Sequence, residues 1–306
     1  MLLLVSWVCL SVFFGTSFFG LSYLSHRPMP LEFMMFYRLM LSSAILVLII
    51  LCRRQRLLIK KNEILLSIVV SVSQLNVWLQ AYSTKYIISG LVSCVCLLQI
   101  FVAELVGAIY EKRMMRGKII LSGILGSVGL VMLLNQQLFS QEVANLDVKN
   151  TIIGVAFAFV STFAAVIGNL VYEKNGKILN QQMPRTTFLL YNCFFGGLML
   201  LVLGLIIHPC QELFNPALKD VKYVGVMSYL ALTATVISLL AMYYIVEKQG
   251  AVKVAYVNFI MPILSMLVST FAEGYKWDII SATGLVVMLI SVWLGIRPDK
   301  KRTQQQ

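Results

Sequence analysis

The stretch QQLFSQEVANLDVKN, residues 136–150, is the longest polar interruption inside this 306-residue chain. Five apolar stretches precede it and five follow it, and each has the length of about 20 mainly apolar residues that a helix needs to cross a bilayer. We number them spans 1 to 10, covering residues 3–24, 30–52, 63–84, 87–110, 117–138, 151–173, 185–208, 222–246, 250–272 and 278–296. The sequence therefore predicts an all-α polytopic membrane protein with ten transmembrane helices.

The odd number of spans in each half predicts how the halves are oriented. A tandem unit with five crossings re-enters the membrane from the opposite side, so two copies form inverted repeats. Pro30 and Pro184, which precede the second span of each half, are one of the faint internal matches. We expect a first five-helix repeat at 1–138, an inter-repeat loop at 139–150, a second repeat at 151–296 and a cytoplasmic tail at 297–306.

The composition excludes a soluble protein and orients the chain. Hydrophobic residues make up 59% and charged residues 12% of the sequence, whereas soluble domains contain roughly a quarter charged residues. Of the 25 Lys and Arg residues, 18 lie in the loops of one side and 6 in those of the other. Because basic loops stay on the cytoplasmic side, we expect both termini in the cytoplasm and the chain in the inner membrane. Anionic lipid, and not nucleic acid, is the expected partner of the net charge of +12.

Catalytic and metal-binding motifs are missing from the sequence. The two histidines, His26 and His208, lie at the outer edge, and there is no phosphate-binding loop, HExxH motif or CxxC pair. The six cysteines lie almost all within spans, where free cysteine packs as an apolar residue. We therefore expect no enzyme, no cofactor and no metal site, and an ion gradient or the substrate's own gradient in place of ATP.

Three charges lie three or more residues inside the spans, where charges are costly and mark functional sites. Glu104 is about 10 Å from the cytoplasmic end of span 4, Lys253 about 5 Å from that face in span 9, and Arg38 about 12 Å from the outer end of span 2. Glu104 either lines the substrate or proton pathway or forms a structural ion pair. Lys253 either reaches the interface with its stem or pairs with Glu104. Arg38 either binds an anionic group such as a substrate carboxylate or ties helices together.

Uncharged polar residues extend the set of candidates for the substrate pathway. Gln99 lies near the midplane, five residues before Glu104, and Asn76, Asn169, Asn258 and Tyr244 add polar side chains in spans 3, 6, 9 and 8. Asn76, Trp78, Gln80 and Tyr82 alternate along span 3. Residues two apart on a helix point about 200° apart, so these four cannot all face one cavity.

Proline and glycine predict two local features of the spans. Pro262 falls in the middle of span 9, where it removes a helical hydrogen bond and bends the helix. Such a bend either exposes backbone to a substrate or is purely mechanical. GILGSVG, residues 123–129, repeats glycine at every third position and predicts a close contact of span 5 with another helix.

Short motifs spread over nearly the whole chain resemble the drug/metabolite transporter superfamily, in particular its EamA-type members with ten helices. They are Trp7 and Gly15 in span 1, Pro30 and Arg38 in span 2, AYST at 81–84, Glu111 and Glu273 after spans 4 and 9, and Gly123 and Gly284 in the fifth span of each half. Two departures are a fourth span without the usual proline, and Cys193 near the place that aligns with Arg38.

The resemblance implies export or exchange of small metabolites such as amino acids, through a central cavity commonly formed by the third, fourth, eighth and ninth helices. We therefore expect an alternating-access secondary transporter with a small-molecule substrate, possible coupling to protons or another ion, and a monomeric or homodimeric state. A non-transporting membrane scaffold or assembly protein is the alternative, and it predicts polar span residues that face helix partners in place of a common cavity.

Overall fold

A computed structural model describes residues 2–55, 57, 61–110, 112, 114–115, 117–139, 148–182, 184–249 and 257–296. These residues form helices joined by short connections, and they contain no strand. Eight helical stretches among them are long and apolar enough to cross a membrane, and two shorter apolar helices, Ile260–Ala272 and Ile279–Gly295, follow near the C-terminal end. The prediction of an all-α polytopic membrane protein is confirmed. Lys253, Glu111 and the tail at 297–306 lie outside the described residues.

Ten apolar helical segments correspond to the predicted spans. Spans 1, 2, 5, 6, 7, 9 and 10 are single helices: Leu2–Ser25, Leu31–Cys52, Gly117–Phe139, Val148–Gln182, Arg185–Ile207, Val257–Ala272 and Ile279–Ile296. Spans 3, 4 and 8 consist of several pieces. Two short 3₁₀ turns, Cys210–Phe214 and Pro216–Lys219, lie in the connection between spans 7 and 8.

The starts of several helices follow from their first residues. Pro30 and Pro184 each stand immediately before a helix, where a missing N–H breaks no intrahelical bond. Asp220 and Asp278 precede spans 8 and 10, and each carboxylate accepts a hydrogen bond from a backbone N–H of the first turn, at 2.9 and 2.6 Å. Hydrogen bonds from Ser281 hold the pKa of Asp278 below its usual value.

Three spans depart from a continuous α-helix near their middle. Span 3 runs from Lys61 to Ser83 with a 3₁₀ turn at Val72–Gln74, and span 8 runs from Val221 to Gln249 with a π-helical stretch at Leu230–Ile237. Span 4 divides into Ser89–Cys96 and Gln99–Tyr110. None of the three contains a proline, whereas Pro262 lies inside the continuous helix of span 9. Mid-helix 3₁₀ and π segments often mark functional positions.

Span 6 is longer than the sequence predicted. We expected it to end at 173, but the helix continues to Gln182 and has 35 residues. A helix of that length extends about 50 Å, so its C-terminal part projects beyond a hydrocarbon core of about 30 Å. The segment EKNGKILNQQ at 173–182 contains no proline to end the helix, so the expected loop is replaced by a helical extension.

The helix contacts have an internal two-fold pattern. Span 2 packs on span 7, span 5 on span 10 and span 4 on span 9. The remaining extensive contacts come in three equivalent pairs. Span 3 packs on span 6 as span 8 packs on span 1, and span 4 packs on span 6 as span 9 packs on span 1. Span 3 packs on span 7 as span 8 packs on span 2. Exchanging each span for the one five places along reproduces these pairs, whereas the smaller contacts of span 4 with spans 1 and 5 have no counterpart of similar size among the described residues.

Two large hydrophobic cores divide the spans differently from the two expected repeats. One core is built mainly from spans 2, 3, 7 and 8, which we name the first bundle. The other is built mainly from spans 4, 5, 9 and 10, which we name the second bundle. Spans 1 and 6 contact both bundles. Each bundle thus takes two spans from each half of the chain, and spans 1 and 6 connect the bundles.

Candidate functional site

The boundary between the two bundles is the candidate site. Among the described residues, no helix of the first bundle packs extensively on a helix of the second, and spans 1 and 6 supply the large contacts to both. Spans 3 and 8 on one side and spans 4 and 9 on the other therefore border the region between the bundles. These are also the spans that carry the three interrupted helices and Pro262.

Span 3 presents its polar residues on two different faces. Gln80 donates to Asn76 Oδ1 at 2.7 Å and to Cys96 Sγ of span 4 at 3.3 Å, so this face meets the second bundle. Trp78 and Tyr82 instead pack edge to face, with ring centroids 5.1 Å apart. The alternating residues thus divide into pairs four apart, as the helical period requires. Asn76 is placed at the boundary between the bundles.

Two polar contacts inside the first bundle occupy equivalent positions in the two halves. Arg38 donates from Nη2 to Thr235 Oγ1 at 3.1 Å, joining span 2 to the π-helical stretch of span 8. Asn192 accepts a hydrogen bond from Gln74, joining span 7 to the 3₁₀ turn of span 3. Arg38 lies eight residues after Pro30 and Asn192 eight residues after Pro184. Asn192, adjacent to the expected Cys193, is therefore the counterpart of Arg38.

The other predicted site residues are distributed over both bundles and span 6. Gln99 begins the second helical piece of span 4 and is half-buried, and Glu104 is buried one turn further along the same piece. Tyr244 lies under the guanidinium of Arg185, with 5.4 Å between the ring centroid and Cζ, at the end of the first bundle where span 7 begins. Asn169 and Asn258 lie on the helices of spans 6 and 9, and only their backbone is described. The structure does not bring Arg38 and Glu104 together, since they belong to different bundles.

A buried carboxylate at the end of the first bundle where span 2 begins joins three spans. Glu32 is fully buried at the start of span 2 and accepts a hydrogen bond from Tyr82 of span 3 at 2.9 Å. Its second oxygen lies 3.2 Å from His208 Nε2, at the end of span 7. His208 Nδ1 lies 3.8 Å from Glu212 in the connection between spans 7 and 8. The group holds spans 2, 3 and 7 of one bundle together.

Glu273 has a similar role in the second bundle, at the end where span 4 begins. Its carboxylate, just after span 9, accepts hydrogen bonds from the backbone N–H of Ser89 at 3.0 Å and from the hydroxyls of Ser89 and Ser269 at 2.8 and 2.7 Å. Ser269 Oγ in turn accepts from the backbone N–H of Gly90 at 2.8 Å. A carboxylate at a helix N-terminus satisfies free N–H groups and the helix dipole, so Glu273 fastens span 4 to span 9.

Sequence reasoning missed the roles of several of these residues. Glu32 and the amide pair Gln74 and Asn192 were not among the candidates. A carboxylate two residues after the proline that opens a span, and amides within apolar spans, are signals that the sequence does contain. Their partners come from distant parts of the chain, and no local pattern indicates them. Glu273 was noted as a motif, but its position at the start of span 4 depends on the fold.

Comparison with known proteins agrees with this architecture. Residues 152–297 match the model of the EamA-like transporter family, part of the drug/metabolite transporter superfamily. A solved crystal structure aligns with a TM-score of 0.66 over 95% of this chain and 94% of that chain, at 12% sequence identity. Similarity at that identity concerns the fold alone. No curated protein matches the sequence.

The fold covers the whole chain, and the family match covers its second half. The chain is a multi-pass membrane protein, and its second half carries the sequence pattern of a transporter family. The resemblance to EamA-type transporters that the motifs predicted is confirmed. The match supports a membrane transporter with a small-molecule substrate and contact with membrane lipid, and it supports the expectation that the chain is not an enzyme.

Proposed function

We propose that this protein is a secondary active transporter that exports or exchanges a small metabolite, such as an amino acid or related compound. In this proposal the substrate passes between the two bundles, which alternately open toward each side of an inner membrane. The inverted repeats at 1–138 and 151–296 provide the symmetry for two such states. Both termini face the cytoplasm in this arrangement, and an ion gradient or the substrate's own gradient drives transport.

The separation of the two cores is the observation that carries this proposal. Each bundle has its own hydrophobic core, and at the outer end each is fastened internally by a carboxylate, Glu32 in the first and Glu273 in the second. Packed units of this kind move as rigid bodies, with the change confined to the connections between them. Spans 1 and 6, which contact both bundles, are the elements about which the bundles would move.

Metabolite profiling followed by flux measurement tests the transport function. Cells with and without the protein are compared for metabolites in the medium and the cytoplasm, and the compound that changes most is then measured in proteoliposomes. We expect saturable flux of that compound. Unchanged metabolite levels and no saturable flux would instead favour the scaffold, because a scaffold moves nothing across the membrane.

Glu104→Gln is expected to abolish proton-coupled transport. Glu104 is a buried carboxylate in the piece of span 4 that follows the helix break, and a carboxylate can bind and release a proton during each cycle, whereas an amide cannot. We expect a pH gradient to drive substrate accumulation in wild-type proteoliposomes and not in the variant. Substrate exchange without a gradient serves as the control for folding. Undiminished pH-driven uptake by the variant would show that Glu104 is not the proton site.

A further inference from the structure

Glu32 is a buried carboxylate at the place where the end of span 7 meets the start of span 2. Its side chain is fully buried, and one oxygen accepts a hydrogen bond from Tyr82 at 2.9 Å. The other oxygen lies 3.2 Å from His208 Nε2, the basic group in contact with it. A buried carboxylate is costly unless a positive charge and hydrogen bonds compensate it. The compensation of Glu32 therefore depends on the charge of His208.

Both ring nitrogens of His208 face carboxylate oxygens. Nε2 faces Glu32, and Nδ1 lies 3.8 Å from Glu212, four residues along the chain. The contact with Glu32 is close but is not aligned as a hydrogen bond, so its attraction depends on charge. A neutral imidazole has one N–H and one lone pair, so either tautomer turns a lone pair toward a carboxylate, whereas a protonated ring has an N–H on both nitrogens. The arrangement fits the protonated ring.

The position of His208 at the end of a helix also favours a positive charge. His208 caps the C-terminus of span 7, and its backbone N–H donates to the carbonyl of Gly204 at 2.8 Å. The last carbonyl groups of a helix carry partial negative charge, which stabilises a nearby cation. Gly204 lets spans 2 and 7 approach closely, because a Cβ there would lie 3.0 Å from the Cβ of Glu32. This close packing places the ring beside the buried carboxylate.

A proton can reach His208 from the aqueous phase. Its side chain is 26% exposed and that of Glu212 is 42% exposed. Both residues belong to the polar connection HPCQELFNPALKD, residues 208–220, outside the spanning helices. The ring thus has one nitrogen toward the interior, at Glu32, and the other toward the connection, at Glu212.

Other ionisable groups at this end of the first bundle have contacts of their own. Cys210, two residues after His208, is exposed. The remaining contacts are those of Arg27 with Tyr23, His26 with Ser22 and Ser25, Lys85 with the ring of Tyr82, Tyr37 with the carbonyl of Leu213, Tyr223 with the sulfur of Met29, and Asp220 with the backbone of Lys222. The charges that face His208 directly are those of Glu32 and Glu212.

The partner of Glu32 in span 3 lies where the first bundle meets span 6. The ring of Tyr82 stacks on Phe157 of span 6, with centroids 5.6 Å apart. The next residue, Ser83, donates to the carbonyl of Gly154 in the same span at 2.8 Å. Glu32 and Tyr82 therefore connect His208 to one of the two spans that contact both bundles.

We propose that His208 is a proton-binding site, and that the bound proton fastens span 7 and the connection after it to span 2. The proton adds to the lone pair of the ring, and the charged ring then pairs with both Glu32 and Glu212. Loss of the proton makes one of these contacts unfavourable and removes the counter-charge of the buried carboxylate. The pH of the aqueous phase at this end thus sets how firmly the first bundle is held together. The site is separate from Glu104 and does not depend on the transport function.

The melting temperature of the full chain in phosphatidylcholine nanodiscs tests the site from about pH 5 to about pH 8, where histidine changes charge. The wild type is compared with His208→Gln, which is uncharged throughout. We expect the wild type to melt a few degrees higher at the acid end, and the difference to shrink as the pH rises, because stability contributed by the protonated ring is lost with the proton. A difference of constant size would show that His208 only packs on Phe33 and would overturn the site.

His26→Gln is the matched control. His26 is the other of the two histidines, and its ring nitrogen contacts Ser22 and Ser25 within span 1, with no carboxylate beside it. We expect this variant to keep the difference from His208→Gln that the wild type shows in acid, and to keep its decline with pH. If His26→Gln loses this pH dependence and His208→Gln keeps that of the wild type, the proton is bound at the wrong histidine for the proposal.

Glu212→Gln decides the matter if His208→Gln does not fold. Glu212 lies in the exposed connection, and an amide can either donate to or accept from the ring, so the neutral ring no longer meets an unfavourable partner. We expect the variant to depend less on pH than the wild type. Nitrogen NMR of labelled histidine rings provides the direct readout: at the same acidic pH, fewer His208 rings should carry both protons in Glu212→Gln. Equal populations and equal pH dependence in the two proteins would contradict the proposal.

Discussion

Gly284→Leu is expected to prevent spans 5 and 10 from packing and to leave little folded protein. A Cβ atom at Gly284 would lie 2.8 Å from the carbonyl oxygen of Gly129 and 3.0 Å from the backbone nitrogen of Leu133. These are backbone atoms that cannot rotate away, and a Cβ at Gly129 would meet the carbonyl of Gly284 at 2.7 Å in return. Forced overpacking of this kind costs about 3 kcal/mol or more. Monodisperse yield and melting temperature in detergent measure the effect.

Gly225→Leu is the matched control for this substitution. Gly225 is also a helical glycine, in span 8, but a Cβ there has no atom within 4 Å. The control gains helix propensity and apolar surface without a clash, so we expect near wild-type yield and melting temperature. Similar losses in both variants would show that the crossing of spans 5 and 10 tolerates a side chain at its closest point.

A covalent link between the two bundles is expected to stop transport. Gln80 of span 3 and Cys96 of span 4 are in contact at 3.3 Å across the boundary between the bundles. Gln80→Cys in a chain whose other native cysteines are replaced leaves two thiols there, which a short bifunctional methanethiosulfonate reagent can join. If the bundles must move apart, the linked protein should lose most of its flux in proteoliposomes, and a reductant should restore it.

A second link within one bundle provides the comparison. Ser89→Cys with Ser269→Cys joins spans 4 and 9, whose hydroxyls lie 3.0 Å apart in the second bundle. Because both spans belong to the same rigid unit, this link should leave most of the flux intact. Flux that survives the link between residues 80 and 96, or that is lost equally with both links, would contradict movement of the bundles as units.

The sequence predicted the features that depend on local composition. The length of the apolar stretches predicted the spans, and Pro30 and Pro184 marked the starts of two helices. The glycines at 123–129 predicted the close contact that Gly129 makes with Gly284. The division of the polar residues of span 3 into two faces also followed from the helical period. Each of these depends on residues that are near one another in the chain.

The features that the sequence did not reveal depend on distant partners or on backbone irregularity. The break in span 4 and the π-helical stretch in span 8 contain no proline to signal them. Glu32 meets His208 across more than half of the chain, and Glu273 meets Ser89 across a similar distance. Such pairs become visible only when the order of packing between spans is known, and the composition of each span leaves that order open.

The irregular turns of spans 3 and 8 also change the direction in which the later side chains of each span point around the helix axis. An α-helix advances each residue by about 100°, a 3₁₀ turn winds more tightly and a π-helical stretch winds more loosely. Compared with a continuous α-helix, the residues after the 3₁₀ turn of span 3 and the residues after the π-helical stretch of span 8 are therefore rotated about the helix axis in opposite senses. Asn76 and Gln80 follow the 3₁₀ turn of span 3, and Tyr243 and Tyr244 follow the π-helical stretch of span 8. The side chains that follow the two breaks therefore differ both in chemistry and in their rotation about the helix axis.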